Sequence, residues 1–398
     1  MSTKILPIRK HIHDCLKNFP WTSDTQFEVI WTYVDHQLAG RGRGRQALLR
    51  AGMTDFSDRI LEYQLRQANY YLKLLNEEVQ TRSINIDRRR IHQLSLDDTM
   101  NQRFGKNVYG AAHQYNHSQG NVCHGQTLVD LVRSTDHVLG VKFQPYLPKK
   151  YLQRANGSLN GFETKIEQAY QLLKKEIWQL RYLGLSPTKI WTSIDCWYAC
   201  EKLTTFIRQT GTNFLQGIRK NTLCHWFGQT ARFDQIFNQY DKWYYRTDPR
   251  SGKKVFFQEK TLNLVKHGRC KVFAVRRGDE ARIRYFATNV LKLTINRLLK
   301  RLKVHWRVET MHLDLKERFH FNGCNSGKDV LNLIHWQLCY LVYFLSCQYQ
   351  HLLHRNGERI SLTRLLFHYQ YQYDEERAHR CFSSPSRRLK LQQLLVTS

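Results

Sequence analysis

Glu309 and Lys316 stand seven residues apart in the stretch VHWRVETMHLDLKERF, Val304 to Phe319. At about 3.6 residues per turn they lie two turns apart on one helical face, with His305 and His312 close to the same line. Val304, Val308, Met311 and Leu315 form an opposing apolar stripe, so one face is for a core and the other can hold chemistry. Two more acidic sites occur upstream at strand-like positions: Asp97 or Asp98 in LSLDDT, and Asp195 in KIWTSIDCWY. Carboxylates at strand ends point into a shared cleft, and a third from a helix completes an oxygen cage for Mg2+ or Mn2+, hard cations that prefer oxygen ligands. Three carboxylates brought from distant segments can hold a pair of divalent metals for attack on a phosphodiester. One such residue alone is more often an exposed loop carboxylate or a helix cap; the ordered set is what points to chemistry.

The elements that must position these residues belong to a chain of 398 residues, 41% hydrophobic and 13% aromatic, which is ample for two or three cores. The formal charge of +29 calls for a polyanionic partner, nucleic acid or an anionic membrane surface. The longest apolar run, Val330 to Cys347, carries Asn332, His335 and Gln337 and reads as a buried helix, which argues against a membrane partner. The start, MSTKILPIRKHIHDC, lacks the continuous apolar core of a secretory signal, so a cytoplasmic, nucleoid-associated location is expected. Ten cysteines without a Cys-x-x-Cys pair read as reduced, mostly buried thiols, and His11, His13 and Cys15 lack the second half-site that a zinc ion needs.

Along the chain, residues 1 to 85 read as helical, from FEVIWTYVDHQL and DRILEYQLRQANYYLKLLNEEV. Between these lies GRGRGRQALLRAG, whose Arg41, Arg43 and Arg45 give a cationic loop able to follow a phosphate backbone; a solvated basic turn is the plainer reading. Two or three strands are expected over 86 to 145. A helix follows with Phe162, Ile166, Ala169, Tyr170, Leu173, Ile177 and Leu180 on one face, then a strand to Asp195, a helix through Lys202 and Phe206, and a strand at Asn213 to Arg219. That order predicts an α/β fold, a mixed sheet covered by helices. Residues 221 to 288 interrupt it with DKWYYRT, KKVFFQEK, CKVFAVRR and ARIRYFATN, a β-rich insertion. Residues 289 to 350 carry the glutamate helix and the long apolar helix, and 351 to 398 form a basic helical tail.

With these residues in order, the chain resembles bacterial insertion-sequence transposases of the DDE (Asp-Asp-Glu) class, in the cut-and-paste branch with a β-rich insertion before the glutamate. The resemblance spans roughly residues 90 to 345. It rests on LDDTMNQRFGKNVYGAAHQYNH around the first aspartate, YLPKK at Tyr146 to Lys150, IDCWYACEKL around the second, YFATN at Tyr285 to Asn289, and HWRVETMHLDLKERFHF around the glutamate. It implies a ribonuclease H-like mixed sheet with helices on both faces, in two parts at 86–220 and 289–350, after an N-terminal helical domain at 1–85 that binds DNA ends. Asp97, with Thr99 two positions later, matches the family's first aspartate, with Asp98 as runner-up metal ligand; Asp195 and Glu309 match the other two, and Lys316 the DNA-contacting lysine. Where the family has tyrosine seven and arginine four positions before the glutamate, this chain has Leu302 and His305, leaving His305, Arg301 and Arg307 as the phosphate-contacting candidates.

The resemblance further implies Mg2+, replaceable by Mn2+, and a prokaryotic transposase, active as a homodimer on double-stranded transposon ends and target DNA. It implies cleavage to a 3′-hydroxyl, a hairpin end, and joining to target. Hairpin DNA invites a base stacked on an aromatic of the insertion, and Trp226, Trp243, Tyr244 and Tyr245 are the candidates, though ordinary sheet packing is the commoner role. The competing classes are a catalytically decayed or domesticated transposase that only binds DNA, a host nuclease of the same fold, and a membrane-surface protein.

Overall fold

The computed structural model describes residues 8–19, 21–39, 63–69, 72–73, 77, 90–105, 107–116, 120–135, 137–238, 242–247, 252–278, 280 and 282–383. In chain order its elements are α1 (Ile8–Lys17), α2 (Asp24–Leu38), β1 (His92–Gln102), β2 (Ala112–Asn116), β3 (Asn121–Ser134), β4 (Val138–Tyr146), α3 (Lys149–Asn156), α4 (Lys165–Tyr182), β5 (Ile190–Ile194), α5 (Glu201–Gln209) and β6 (Asn213–Ile218). There follow β7 (Leu223–Trp226), β8 (Gln229–Arg232), α6 (Phe233–Asn238), β9 (Tyr244–Thr247), β10 (Lys254–Leu264), β11 (Gly268–Arg277), β12 (Arg284–Thr288), α7 (Ile295–Arg318), α8 (Asp329–Arg355) and α9 (Leu362–Ser383). The fold is mixed α/β. It divides into two units, one of Met1–Thr81, Gln102–Ala111 and Met311–Ser398, the other of Arg82–Asn101 and Ala112–Thr310.

The second unit is built on one sheet in the order β2-β3-β1-β5-β6-β12-β11-β10-β7-β8, with β4 on β3 and β9 on β10. β1, β5 and β6 are parallel, joined through helices as parallel neighbours require, whereas β12, β11 and β10 are antiparallel hairpin partners. The aromatic and basic strands of 221 to 288 therefore do not form a separate layer: β12 pairs directly with β6 and extends the central sheet. β1 is longer than the sequence suggests, and it carries Asp97 and Asp98 in its interior, because pairing continues to Gln102.

Alternation along the central strands divides the sheet into two faces. Leu94, Leu96, Ile190, Ile194, Phe214 and Ile218 join Ala169, Leu172, Leu173, Ile177 and Leu180 of α4 and Leu203, Phe206 and Ile207 of α5 in one core. Trp191, Leu215, Phe273 and Val275 face the other way and pack with Leu293, Ile295 and Leu298 at the start of α7. α4 begins on a capping box in which Thr164 Oγ1 accepts the Glu167 N–H and Glu167 returns a carboxylate oxygen to the Thr164 N–H, 2.7 Å away. Behind it an ion group joins α4 to β3 and β4: Glu176 meets Arg133 of β3 at 3.3 Å and Lys142 of β4 at 2.6 Å.

In the first unit α1, α2 and α9 converge on Asp35, which accepts two hydrogen bonds from Arg9 at 2.6 Å and one from the Tyr369 hydroxyl at 2.7 Å. On α8, His335 is fully enclosed. Its Nε2 faces the carbonyls of His320 and Phe321, which can only accept, so Nε2 carries the proton and Nδ1 accepts from the Tyr33 hydroxyl at 2.8 Å. α8 is the one helix among the described residues that is long and apolar enough to cross a membrane, and 78% of its most apolar stretch is buried within the protein.

Candidate functional site

Odd-numbered residues of β1 and β5 face α7, and two polar steps lead along that face. Gln93 donates to the Arg301 carbonyl at 2.9 Å and to Ser193 Oγ at 3.1 Å. One step further, Ser193 donates to Ser95 at 3.0 Å and lies 2.9 Å from His305 Nδ1. Small serines on neighbouring strands let the helix come this close. A strand advances about 6.6 Å in two residues and a helix about 6 Å in four, so strand and helix remain in step. Leu96 and Ile194 are the last register partners of β1 and β5. Continuing that register and alternation by one residue directs Asp97 and Asp195 to the α7 face, and four residues beyond His305 is Glu309.

The third strand at this level contributes a glycine. β5 and β6 pair through Ile194 and Gln216, so Gly217 neighbours Asp195. A Cβ there would come within 3.3 Å of the Cys196 nitrogen and 3.8 Å of Asp195 Oδ1. The missing side chain leaves room beside the carboxylate. Asp195 itself opens a turn, its carbonyl accepting from Tyr198 N–H at 3.0 Å, which carries the chain from β5 into α5.

Asp98 belongs to the opposite face. It pairs with Lys165 at the start of α4 at 2.6 Å, below the core that holds Leu94 and Leu96. The buried Tyr198 phenol lies near it, and burial together with Asp98, Asp97 and Asp130 pushes its pKa far up, so it stays a protonated donor. The two consecutive aspartates thus have different surroundings: Asp97 accepts the Asp98 N–H at 2.8 Å and looks toward α7, while Asp98 is neutralised by a lysine.

Burial lowers the pKa of half-buried His305, opposed by the negative charge of Asp195, so the ring is neutral near pH 7 and positioned by Ser193. Arg301 covers the Trp191 ring at 5.6 Å, and Arg307 donates to the Thr135 carbonyl at 2.9 Å, so both are engaged within the protein. On α7, Val308, Met311 and Leu315 are fully buried and Val304 nearly so; Glu309 is exposed, Lys316 half-buried and His312 buried. Of the insertion aromatics, Trp226 and Trp243 pack against the core, whereas Tyr244 and Tyr245 are exposed on β9. Arg41, Arg43 and Arg45 lie outside the described residues.

Oxygen donors from two strands and a helix suit a hard divalent cation in kind and number. Among the described residues, however, no three His, Cys, Asp or Glu side chains are gathered closely enough to hold a metal ion. Four residues of helix overshoot a full turn by about 40°, which swings Glu309 outward relative to His305. The three carboxylates are not drawn into a cage. Sequence reasoning missed Lys165, Tyr198 and Gly217. Nothing in the spacing marks Lys165 or Gly217, while Tyr198, three residues after Asp195, was within reach. Comparison with protein-family models and with curated proteins finds no match for this chain.

Proposed function

We propose that the chain is a transposase of the DDE class, cleaving DNA ends and joining them to target DNA with Asp97, Asp195 and Glu309 as metal ligands. The observation that carries this reading is the stepwise contact of α7 with β1 and β5, Gln93 to Arg301 and then Ser193, itself bonded to Ser95, to His305, beyond which the same faces carry the three acids. The order β4-β3-β1-β5-β6, with β1, β5 and β6 parallel and helices between, supports a ribonuclease H-like catalytic core. The charge of +29 supports a DNA partner.

Bound Mg2+ or Mn2+ would supply an activated water and stabilise charge on the phosphate oxygens. The chain's own residues do the positioning. Asp97 and Asp195 present oxygens from adjacent strands, Gly217 keeps the space beside Asp195 clear, and Ser193 fixes the His305 ring one turn before Glu309. Lys316, two turns beyond Glu309, is proposed to hold DNA near the cut, and Asp98, tied to Lys165, is read as a structural neighbour of Asp97. A homodimer acting on two transposon ends in a prokaryotic cell completes the reading.

A second reading, a decayed transposase that binds DNA without cutting it, is favoured by His305 in place of the family's arginine and by the absence of a closed three-donor group among the described residues. One experiment separates them: incubation with duplex DNA from either flank of the gene, in Mg2+, in Mn2+ and in EDTA. Metal-dependent cleavage leaving 3′-hydroxyl ends supports the first reading, and metal-independent binding without cleavage supports the second.

A further inference from the structure

A cavity of about 680 Å3 opens beside Asp195, at the carboxyl ends of β5 and β6 and against the approach to β12. Ligands of open α/β sheets bind outside the carboxyl ends of parallel strands, and this volume is in the usual range for a small-ligand pocket. Its wall is cationic. Arg219 and Lys220 come from the end of β6, Arg282 and Arg284 from the approach to and start of β12. Asp234 also lines it but is held by Arg232 through two contacts at 3.1 and 2.5 Å, and Glu280 engages Arg284 at 3.2 Å. Neither of these acids cancels Arg219, Lys220 and Arg282, which leaves three cations against the one remaining acid of the wall, Asp195.

Arg219 has a second role. Its guanidinium lies 4.7 Å from the ring centre of Trp197, two residues after Asp195, and that indole is 53% exposed. A half-exposed indole on a turn, joined to the cavity wall through Arg219, is a stacking platform of the kind that holds bases of unpaired strands. Bases within a duplex are already stacked on each other and offer no face to an indole. We propose that the cavity and Trp197 together bind one unpaired nucleotide of DNA next to Asp195, its phosphate on Arg219, Lys220 and Arg282 and its base on Trp197. The site prefers single-stranded to duplex DNA and keeps the strand open where it enters the acidic site; the inference rests on the transposase reading for its DNA substrate.

The test is fluorescence anisotropy of a labelled ten-thymidine oligonucleotide, and of a ten-base-pair duplex, with the full chain in EDTA. Base stacking of about 1–3 kcal/mol corresponds to a loss of roughly fivefold to 150-fold in single-strand affinity for Trp197→Ala, with recovery in Trp197→Tyr and little change for the duplex. Arg282→Ala weakens the oligonucleotide more than Lys174→Ala, an equal charge loss on the exposed face of α4. Equal losses for single strand and duplex, or no loss with Trp197→Ala, overturn the proposal. Because metal is absent, binding is read independently of cleavage: an oligonucleotide effect without metal-dependent cleavage sinks the catalytic reading alone, and cleavage without the effect sinks this site alone.

Discussion

Moving the carboxylate of Glu309 by known amounts tests the alignment of α7 with β1 and β5. The eight residues from Arg301 to Glu309 advance about 12 Å along the helix, and the four from Gln93 to Asp97 advance about 13 Å along the strand, a mismatch near 1 Å. Glu309→Asp withdraws the carboxylate by about one methylene, a little over 1 Å, and a misplacement of that size costs about 10²-fold in rate. Glu309→Ala removes the group, and a loss of about 10³-fold or more, some 4 kcal/mol of barrier, is expected. The informative variant combines Glu309→Ala with Thr310→Glu. It restores the net charge at an exposed neighbouring position but turns the carboxylate by about 100° around the axis. Cleavage of flanking duplex DNA in Mg2+ and in Mn2+, with circular dichroism as a folding control, should rank the variants wild type, Asp, then Ala and the double variant together. Recovery of activity in the double variant, or a Glu309→Ala protein within tenfold of wild type, refutes the alignment, because a carboxylate that works from either position is not held by the steps through Gln93 and Ser193.

Five further outcomes follow from the packing and the charge. Glu176→Ala strands Arg133, which is 2% exposed, and should cost about 3–5 kcal/mol, roughly 10 °C or more in the melting of a unit of this size, whereas Glu176→Leu with Arg133→Met should lie near wild type; a mild single variant refutes the buried pair. Burial raises the Glu176 pKa, but Arg133 and Lys142 bring it below the ordinary value, so its stabilisation is present above about pH 4.5 and is lost as pH falls through the lower folded value, a loss absent from the double variant. His335, pushed down to about 4 from 6.5 mainly by burial, stabilises the neutral state: that contribution, about 3 kcal/mol, is complete above pH 6.5 and disappears as pH falls to 4, so thermal melts of His335→Gln should show a flatter acid limb than wild type. Gly217→Ala brings a Cβ to 3.3 Å from the Cys196 nitrogen beside Asp195 and should slow cleavage about tenfold with little change in melting temperature, while affinity for duplex DNA should fall roughly 10³-fold between about 50 and 200 mM salt if six or more phosphates are contacted; an unchanged rate or a flat salt response contradicts the respective claim.

Periodicity carried much of the fold. The face of α4 through Ala169, Leu173, Ile177 and Leu180 and the stripe Val304, Val308, Met311 and Leu315 are buried as their spacing requires, because a 3.6-residue repeat leaves an apolar stripe no other low-energy use. Strand extent was less legible. β1 reads as a short strand ending at the aspartates, yet it runs to Gln102, since backbone pairing does not depend on whether side chains are apolar. The strands between 221 and 288 read as an insertion by composition, and their sharing of the central sheet follows from the β6 to β12 pairing, a contact some seventy residues apart along the chain that no local pattern encodes.

The difference between Asp97 and Asp98 shows why the acidic site was only half legible. Both are carboxylates at strand positions, and as sequence they are interchangeable. A strand sends successive side chains to opposite faces, so assignment depends on which face meets α7. Gln93 and Ser193 decide it through their hydrogen bonds to Arg301 and His305, and neither residue type suggests a role in chemistry. Once that parity is fixed, Asp98 must face α4, where Lys165 neutralises it, and Asp97 is left beside Asp195. Exchanging the pair's environments by substitution at one position is therefore impossible. Asp97→Asn should remove function with Asp98 intact, whereas Asp98→Asn should chiefly loosen the Lys165 contact, and equal losses of cleavage from both would mean that the register of β1 does not govern the site.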